Sequence, residues 1–276
     1  MKIYIQSNNF NKIGALVSKY SFQKFNPEYP IDLINMEDYK KLMNSHMKIF
    51  YRSKNECYWR KDLHQSFFPT RFFAPEKSNY EGWCLVVDPD IFAMKDISSI
   101  EQYINDETPI CCYYDKSSYH TSMMLLNNTK LKNWNEEYVV NFMFHDKKNF
   151  DDLILLKNLS TINNTDVKQI PRKYNQLNTY HDDTIMCHMS RTNKQPWKTG
   201  IKYCKCELHN SKKCKKCNVS KVFGKFPDKK CETYFFQLAH EAYTAGYFTR
   251  PEIDEAIKNK WIRKDFYEIM TKSQNN

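Results

Sequence analysis

At 276 residues the chain has room for one large domain with a modest appendage, since single cores stop growing near about 250–300 residues. Its 41% hydrophobic and 15% aromatic residues can bury a core, which excludes a disordered chain despite a mean hydropathy of −0.76. With 5 Gly, no GxGxxG or Walker-type loop can be written anywhere, so any nucleotide must be held by other means. The net charge of +10 is concentrated: residues 191–230 carry 13 Lys and Arg against Glu207 and Asp228, and the remainder is close to neutral. No run approaches the ~20 apolar residues of a membrane span, and no apolar h-region follows Met1. The expectation is a cytoplasmic protein whose 10 Cys are reduced, four of them at metal-ligand spacing and six acting as small core residues.

Lys2-Ile3-Tyr4-Ile5-Gln6 alternates and is β-rich, and Ser7-Asn8-Asn9 ends it as a turn. Ile13, Leu16, Val17, Tyr20 and Ser21 then recur at helical spacing up to Asn26-Pro27, where the proline disfavours helix. With a strand at Ile31-Asp32-Leu33-Ile34, the opening reads as a βαβ unit. Residues 82–88 form a nearly continuous apolar run that stops abruptly at carboxylates, as expected of a buried parallel strand with functional groups at its carboxyl end. Residues 108–114 and 122–127 predict two more strands, making the sheet at least five-stranded. Helices are predicted over 131–145 and 147–158. Ile170-Pro171 breaks the pattern, and Thr184-Ile185-Met186-Cys187-His188 predicts a last strand. Helical patterning returns from Tyr234 to Met270, with Thr249-Arg250-Pro251-Glu252 as a helix start.

Asp88-Pro89-Asp90 sets two hard oxygen donors two residues apart at a strand end, a pattern suited to Mg²⁺ or Mn²⁺ and, through the ion, to diphosphate oxygens. Arg71-Phe72-Phe73-Ala74-Pro75, followed by Tyr80-Glu81-Gly82-Trp83 and the run to Asp88-Pro89-Asp90-Ile91-Phe92, resembles the GT-A nucleotide-sugar transferases, particularly glycosyltransferase family 8 and its bacterial and viral relatives. The resemblance spans roughly residues 1–200, taking in Lys2-Ile3-Tyr4-Ile5, Ile13-Gly14-Ala15-Leu16, Ser122-Met123-Met124-Leu125-Leu126-Asn127, Lys173-Tyr174-Asn175, His188 and Gln195-Pro196-Trp197-Lys198. It implies an α/β, Rossmann-like GT-A fold and transfer of a sugar from a nucleotide-diphosphate donor of UDP or GDP type to a glycan hydroxyl. By the same resemblance Asp88, Asp90 and His188 are ligands to Mn²⁺ or Mg²⁺, Lys194 or Lys198 is a cation on the diphosphate, and Arg71 reaches the nucleotide. Tyr4, Gln6 and Ser7 line base and ribose, and Asn127 meets the donor sugar. For the acceptor side, Asp152 (with Asp151) resembles an acidic pair of the family, and Asp182 with Asp183 is a rival near His188.

Cys204-x-Cys206 and Cys214-x2-Cys217 place four thiols within fourteen residues, a tetrahedral zinc set whose charge the surrounding lysines offset, with His209 and Cys231 as alternative ligands. The chain therefore divides into a GT-A domain (1–199), a Cys/Lys-rich zinc module (200–232) and a C-terminal helical tail (233–276). A different reading is a non-catalytic transferase-like domain whose basic zinc module serves as a nucleic-acid or protein adaptor, against which stands the scarcity of interleaved aromatics for base stacking. The same basic segment also suits peripheral contact with an anionic membrane.

Overall fold

The computed structural model describes residues 1–53, 55–115, 118–157, 166–191, 193–204 and 220–273. Its first half contains β1 (Lys2–Ser7), α1 (Lys12–Phe25), β2 (Ile31–Asn35), α2 (Lys40–Met43), β3 (Ile49–Arg52), β4 (Asn55–Tyr58), α3 (Ala74–Lys77), β5 (Trp83–Val87), β6 (Ile91–Ala93), β7 (Ile110–Asp115) and β8 (Ser118–Asn127). Then come α4 (Glu136–Val140), α5 (Phe150–Ile154), β9 (Val167–Gln169), β10 (Gln176–Leu177), β11 (Met186–His188), β12 (Lys202–Cys204), β13 (Ser220–Val222), α6 (Lys229–Thr244), α7 (Arg250–Lys258) and α8 (Phe266–Lys272).

The main sheet has six strands in the order β2-β1-β5-β8-β7-β9. β1 pairs in parallel with both β2 and β5, as the opening βαβ pattern requires, whereas β8 runs antiparallel to β5 and to β7. Burial on both faces explains the continuous apolar runs. Tyr4, Val86, Cys112 and Met124 face one core, while Ile3, Ile5, Leu85, Val87, Cys111 and Met123 face the other, where Ala15 and Phe22 of α1 cover them. A third core joins Ile13 and Val17 of α1, Phe92 and Trp197 to α6, α7 and α8.

The helices predicted over 131–145 and 147–158 are shorter than their patterns suggest. Asn135 caps α4 by accepting from the Tyr138 N–H, and α4 then passes into a π-helical turn over Asn141–His145. Left-handed backbone at Lys147 and Leu156 (φ 51° and 53°) brackets α5, a conformation that no helix can propagate through. The predicted start at residues 249–252 is present as a full capping box, with the Thr249 and Glu252 side chains each bonded to the other's backbone N–H.

Candidate active site

β5 delivers Asp88 and Asp90 to its carboxyl end. The chain turns over Asp88-Pro89-Asp90-Ile91, closed by the Ile91 N–H donating to the Asp88 carbonyl at 3.2 Å, with proline in the turn position that its fixed φ favours. α1 lies directly on this turn: Ser18 Oγ donates to the Ile91 carbonyl at 2.6 Å, and Ser21 Oγ accepts from the Ala93 N–H at 2.9 Å. Past the turn, β6 pairs antiparallel with β11 in the register His188↔Ile91, and this pairing returns a residue nearly one hundred positions away to the two carboxylates. Ligand atoms of Asp88, Asp90 and His188, all buried, lie within 4.8 Å of one another.

The hydrogen bonds around His188 fix its ring. Asn175 Nδ2 donates to Ser122 Oγ (3.1 Å), which leaves Asn175 Oδ1 to accept from His188 Nδ1 at 2.9 Å. The proton then sits on Nδ1, and the Nε2 lone pair points toward Asp90 Oδ1, 3.4 Å away. That oxygen is buried without a hydrogen-bond partner, while the other carboxylate oxygen of Asp90 accepts from Gln195 Nε2 at 2.7 Å. Two electron-rich atoms facing one another in a buried site, beside a second carboxylate, make a donor set that a divalent cation completes.

Asp88 is differently held. Arg71 Nη2 donates to both of its oxygens at 2.9 and 3.2 Å, and Gln6 Nε2 donates to Oδ1 at 2.6 Å. Burial pushes the Asp88 carboxyl up to about 6; Arg71 pulls it down, and the neighbouring Asp90 charge adds to the rise. Arg71 itself lies beneath the Phe68 ring and donates through Nη1 to Thr121 Oγ1 at 2.7 Å. The register between β7 and β8 shifts after Cys112, and beside this bulge the consecutive residues Thr121 and Ser122 both reach the site.

A cavity of about 270 Å³ opens over these groups, lined also by Asn11, His64, His120 and Lys198. Lys198 is buried, and its Nζ donates at 2.5 Å to Asn11 Oδ1, an amide that the His64 carbonyl and Asn8 hold in place. Burial, reinforced by the Lys198 charge, lowers the pKa of His64 well below its ordinary value, so its imidazole is neutral.

Thus Asp88, Asp90, His188, Arg71, Gln6 and Lys198 converge, and Ser7 is buried at the end of β1. Other expected site residues do not join them. Tyr4 turns into the core, donating to the Lys77 carbonyl and accepting from Ser78 Oγ. Lys194 lays its stem against Gly224, outside the cavity lining. Asn127 pairs with Trp83 at the amino end of β5, four residue pairs from the Val87↔Met123 end that adjoins Asp88. Because β8 is antiparallel, the site meets its middle rather than its carboxyl end.

Asp152 sits in the first turn of α5, and Asp182 is exposed with its carbonyl accepting from Lys95 Nζ. Among the described residues, Asp88 and Asp90 are the only carboxylates lining the cavity. Sequence reasoning gave no role to Asn11, Thr121, Ser122, Asn175 or Gln195. Asn175 and Gln195 stood within quoted motifs, and each turns out to orient a candidate ligand. Cys206, Cys214, Cys217 and His209 of the expected zinc set lie outside the described residues, and Cys204 is described through its backbone alone, at the end of β12.

The galactosyltransferase LgtC, solved in complex with donor and acceptor sugar analogs, superposes with a TM-score of 0.53 over 94% of this chain and 100% of its own, at 13% identity. The chain has the GT-A fold. The glycosyltransferase GlyE of Streptococcus pneumoniae TIGR4 superposes with a TM-score of 0.50 at 11% identity, over 95% of this chain and 64% of that one. Protein CDI of Arabidopsis thaliana is 33% identical over 75 residues, so the match spans 26% of this chain and 29% of that curated relative. No family model matches.

Proposed function

We propose that the protein is a divalent-metal-dependent glycosyltransferase that moves a sugar from a nucleotide-diphosphate donor to a hydroxyl acceptor. The observation that carries this reading is the buried Asp90 Oδ1, without a hydrogen-bond partner and 3.4 Å from His188 Nε2, beside Asp88 at the end of β5. The GT-A fold supports it, as does the likeness to a galactosyltransferase solved with donor and acceptor sugar analogs. Asp88, Asp90 and His188 would hold Mn²⁺ or Mg²⁺, which when bound supplies positive charge to the diphosphate oxygens of the leaving group. Lys198 presents a buried ammonium to the same cavity and would bind the anionic leaving group from a second side. Gln6 and Arg71 orient Asp88, and Gln195 orients Asp90, so that the carboxylates are positioned before substrate arrives.

A screen of UDP- and GDP-sugars, following nucleoside diphosphate release with Mn²⁺ present, tests the reading directly. Release should vanish with chelator and in both Asp88→Asn and Asp90→Asn. Asp90→Asn should melt as the wild type does, whereas Asp88→Asn should stay folded by circular dichroism but melt lower, because Arg71 loses its buried charge partner. Wild-type turnover in both variants would remove the metal from the reaction. Failure to bind any nucleoside diphosphate in calorimetric titration with Mn²⁺ would remove the donor class.

A further inference from the structure

The candidate active site leaves unused a larger cavity of about 490 Å³ between β12 and the turn joining α7 to α8. Ile201, Ile257 and Ile262 contribute apolar walls, and Lys202, Lys260 and Lys264 stand on it as exposed cations. Arg263, the fourth cation, is committed to Asp265 at 2.6 Å and to Glu232 at 3.5 Å, but the three lysines form no ion pair among the described residues. Across β12 and β13, Lys202 is paired with Val222, whose 55% exposure makes it the most exposed large hydrophobic side chain on the described surface. Lys202 and Val222 come from the basic stretch 191–230, and the C-terminal helices add Lys260 and Lys264 to the same cavity.

We infer that this face docks on an anionic lipid bilayer, with lipid phosphates at Lys202, Lys260 and Lys264 and Val222 entering the interface. Three exposed lysines around one cavity are drawn to an anionic leaflet over a Debye length, and apolar cavity walls beside the charges suit the glycerol and acyl boundary of a lipid. Nucleic acid fits less well. Base stacking needs presented rings, and Tyr203, Phe223 and Phe226 of this segment are all buried. The surface does not depend on the transferase reading, yet one short turn joins the two: Lys198 lines the candidate active site, and Thr199, Gly200 and Ile201 line this cavity.

The experiment is flotation of the full chain with vesicles of phosphatidylcholine alone and of equal parts phosphatidylcholine and phosphatidylglycerol. Binding should require the anionic lipid, weaken with salt, and fall by about tenfold or more in a Lys202→Glu, Lys260→Glu, Lys264→Glu variant. Val222→Asp should lower it further. Circular dichroism checks folding, and a triple Lys→Gln variant serves if charge reversal unfolds the chain. Undiminished flotation of a folded triple variant, absence of flotation with anionic vesicles, or displacement from them by a single-stranded oligonucleotide at equal charge would each overturn the proposal.

Discussion

The Asn175 amide decides which nitrogen of His188 carries a proton, although it would not itself touch an ion. Its Oδ1 accepts from Nδ1 at 2.9 Å, and its Nδ2 is anchored on Ser122 Oγ. Replacing it by alanine frees the ring to rotate or to protonate at Nε2. Outer partners of this kind are commonly worth about 10–100-fold in metal affinity, whereas loss of a buried hydrogen bond costs stability of only about 1–3 kcal/mol. Asn175→Ala should therefore bind Mn²⁺ about 10–100-fold more weakly in calorimetric titration while keeping cooperative thermal unfolding. Equal Mn²⁺ affinity with a lowered melting temperature would reduce Asn175 to a packing residue. Arg71 poses the opposite case, since its guanidinium is buried against Asp88 and has no solvent to retreat to. Arg71→Met should destabilise the chain by about 3–5 kcal/mol by leaving the Asp88 charge uncompensated, read from the denaturant midpoint.

At the scale of elements, α1 and the Asp88–Asp90 turn act as one unit. A Cβ at Gly14 would lie 3.0 Å from the Trp197 ring and 3.2 Å from the Pro89 carbonyl oxygen. Alanine gains about 1 kcal/mol of helix propensity over glycine, but Trp197 is fully buried and wedged against Phe235, so overpacking of about 1–3 kcal/mol should prevail. Gly14→Ala should melt lower and bind Mn²⁺ more weakly, because the displaced carbonyl belongs to the carboxylate turn. A variant as stable as wild type would show that the helix can retreat.

What could be read from sequence follows the same physics. The opening βαβ unit and the run ending at Asp88 were legible because a strand buried on both faces must be apolar throughout. Thr249-Arg250-Pro251-Glu252 was legible because a helix start carries its own local chemistry. The direction of β8 was not, since an apolar strand reads alike in either direction; Asn127, which the resemblance sets against the donor sugar, lies at the far end of β5. Nor does local pattern announce that Gln195 bonds Asp90 across 105 positions, or that Thr121 and Ser122 project together beside a bulge.

At the scale of the whole molecule, the C-terminal helices bear on the site although none of their residues lines its cavity. The sequence reading set residues 233–276 apart as a tail, yet α6, α7 and α8 share one core with Ile13 and Val17 of α1, Phe92 of β6 and Trp197. Cys231, in the first turn of α6, stands 3.9 Å sulfur to sulfur from Cys187, the neighbour of His188, and the Tyr234 hydroxyl donates to the Ala93 carbonyl at 2.9 Å. α6 thus backs both strands that bring His188 to the carboxylates. Uncovering Ile13, Val17, Phe92 and Trp197 would forfeit about 1.5–3 kcal/mol for each side chain, a sum comparable with the whole stability of about 5–15 kcal/mol of an ordinary domain. A chain ended after Pro227 should therefore lose its cooperative melting transition and its Mn²⁺ binding together, as followed by calorimetry and near-ultraviolet circular dichroism. Should the shortened chain still melt cooperatively and bind Mn²⁺ as the full chain does, the helices would be an appendage, and the geometry of His188 would have to be maintained by the pairing of β11 with β6 and β10 and by the Asn175 amide.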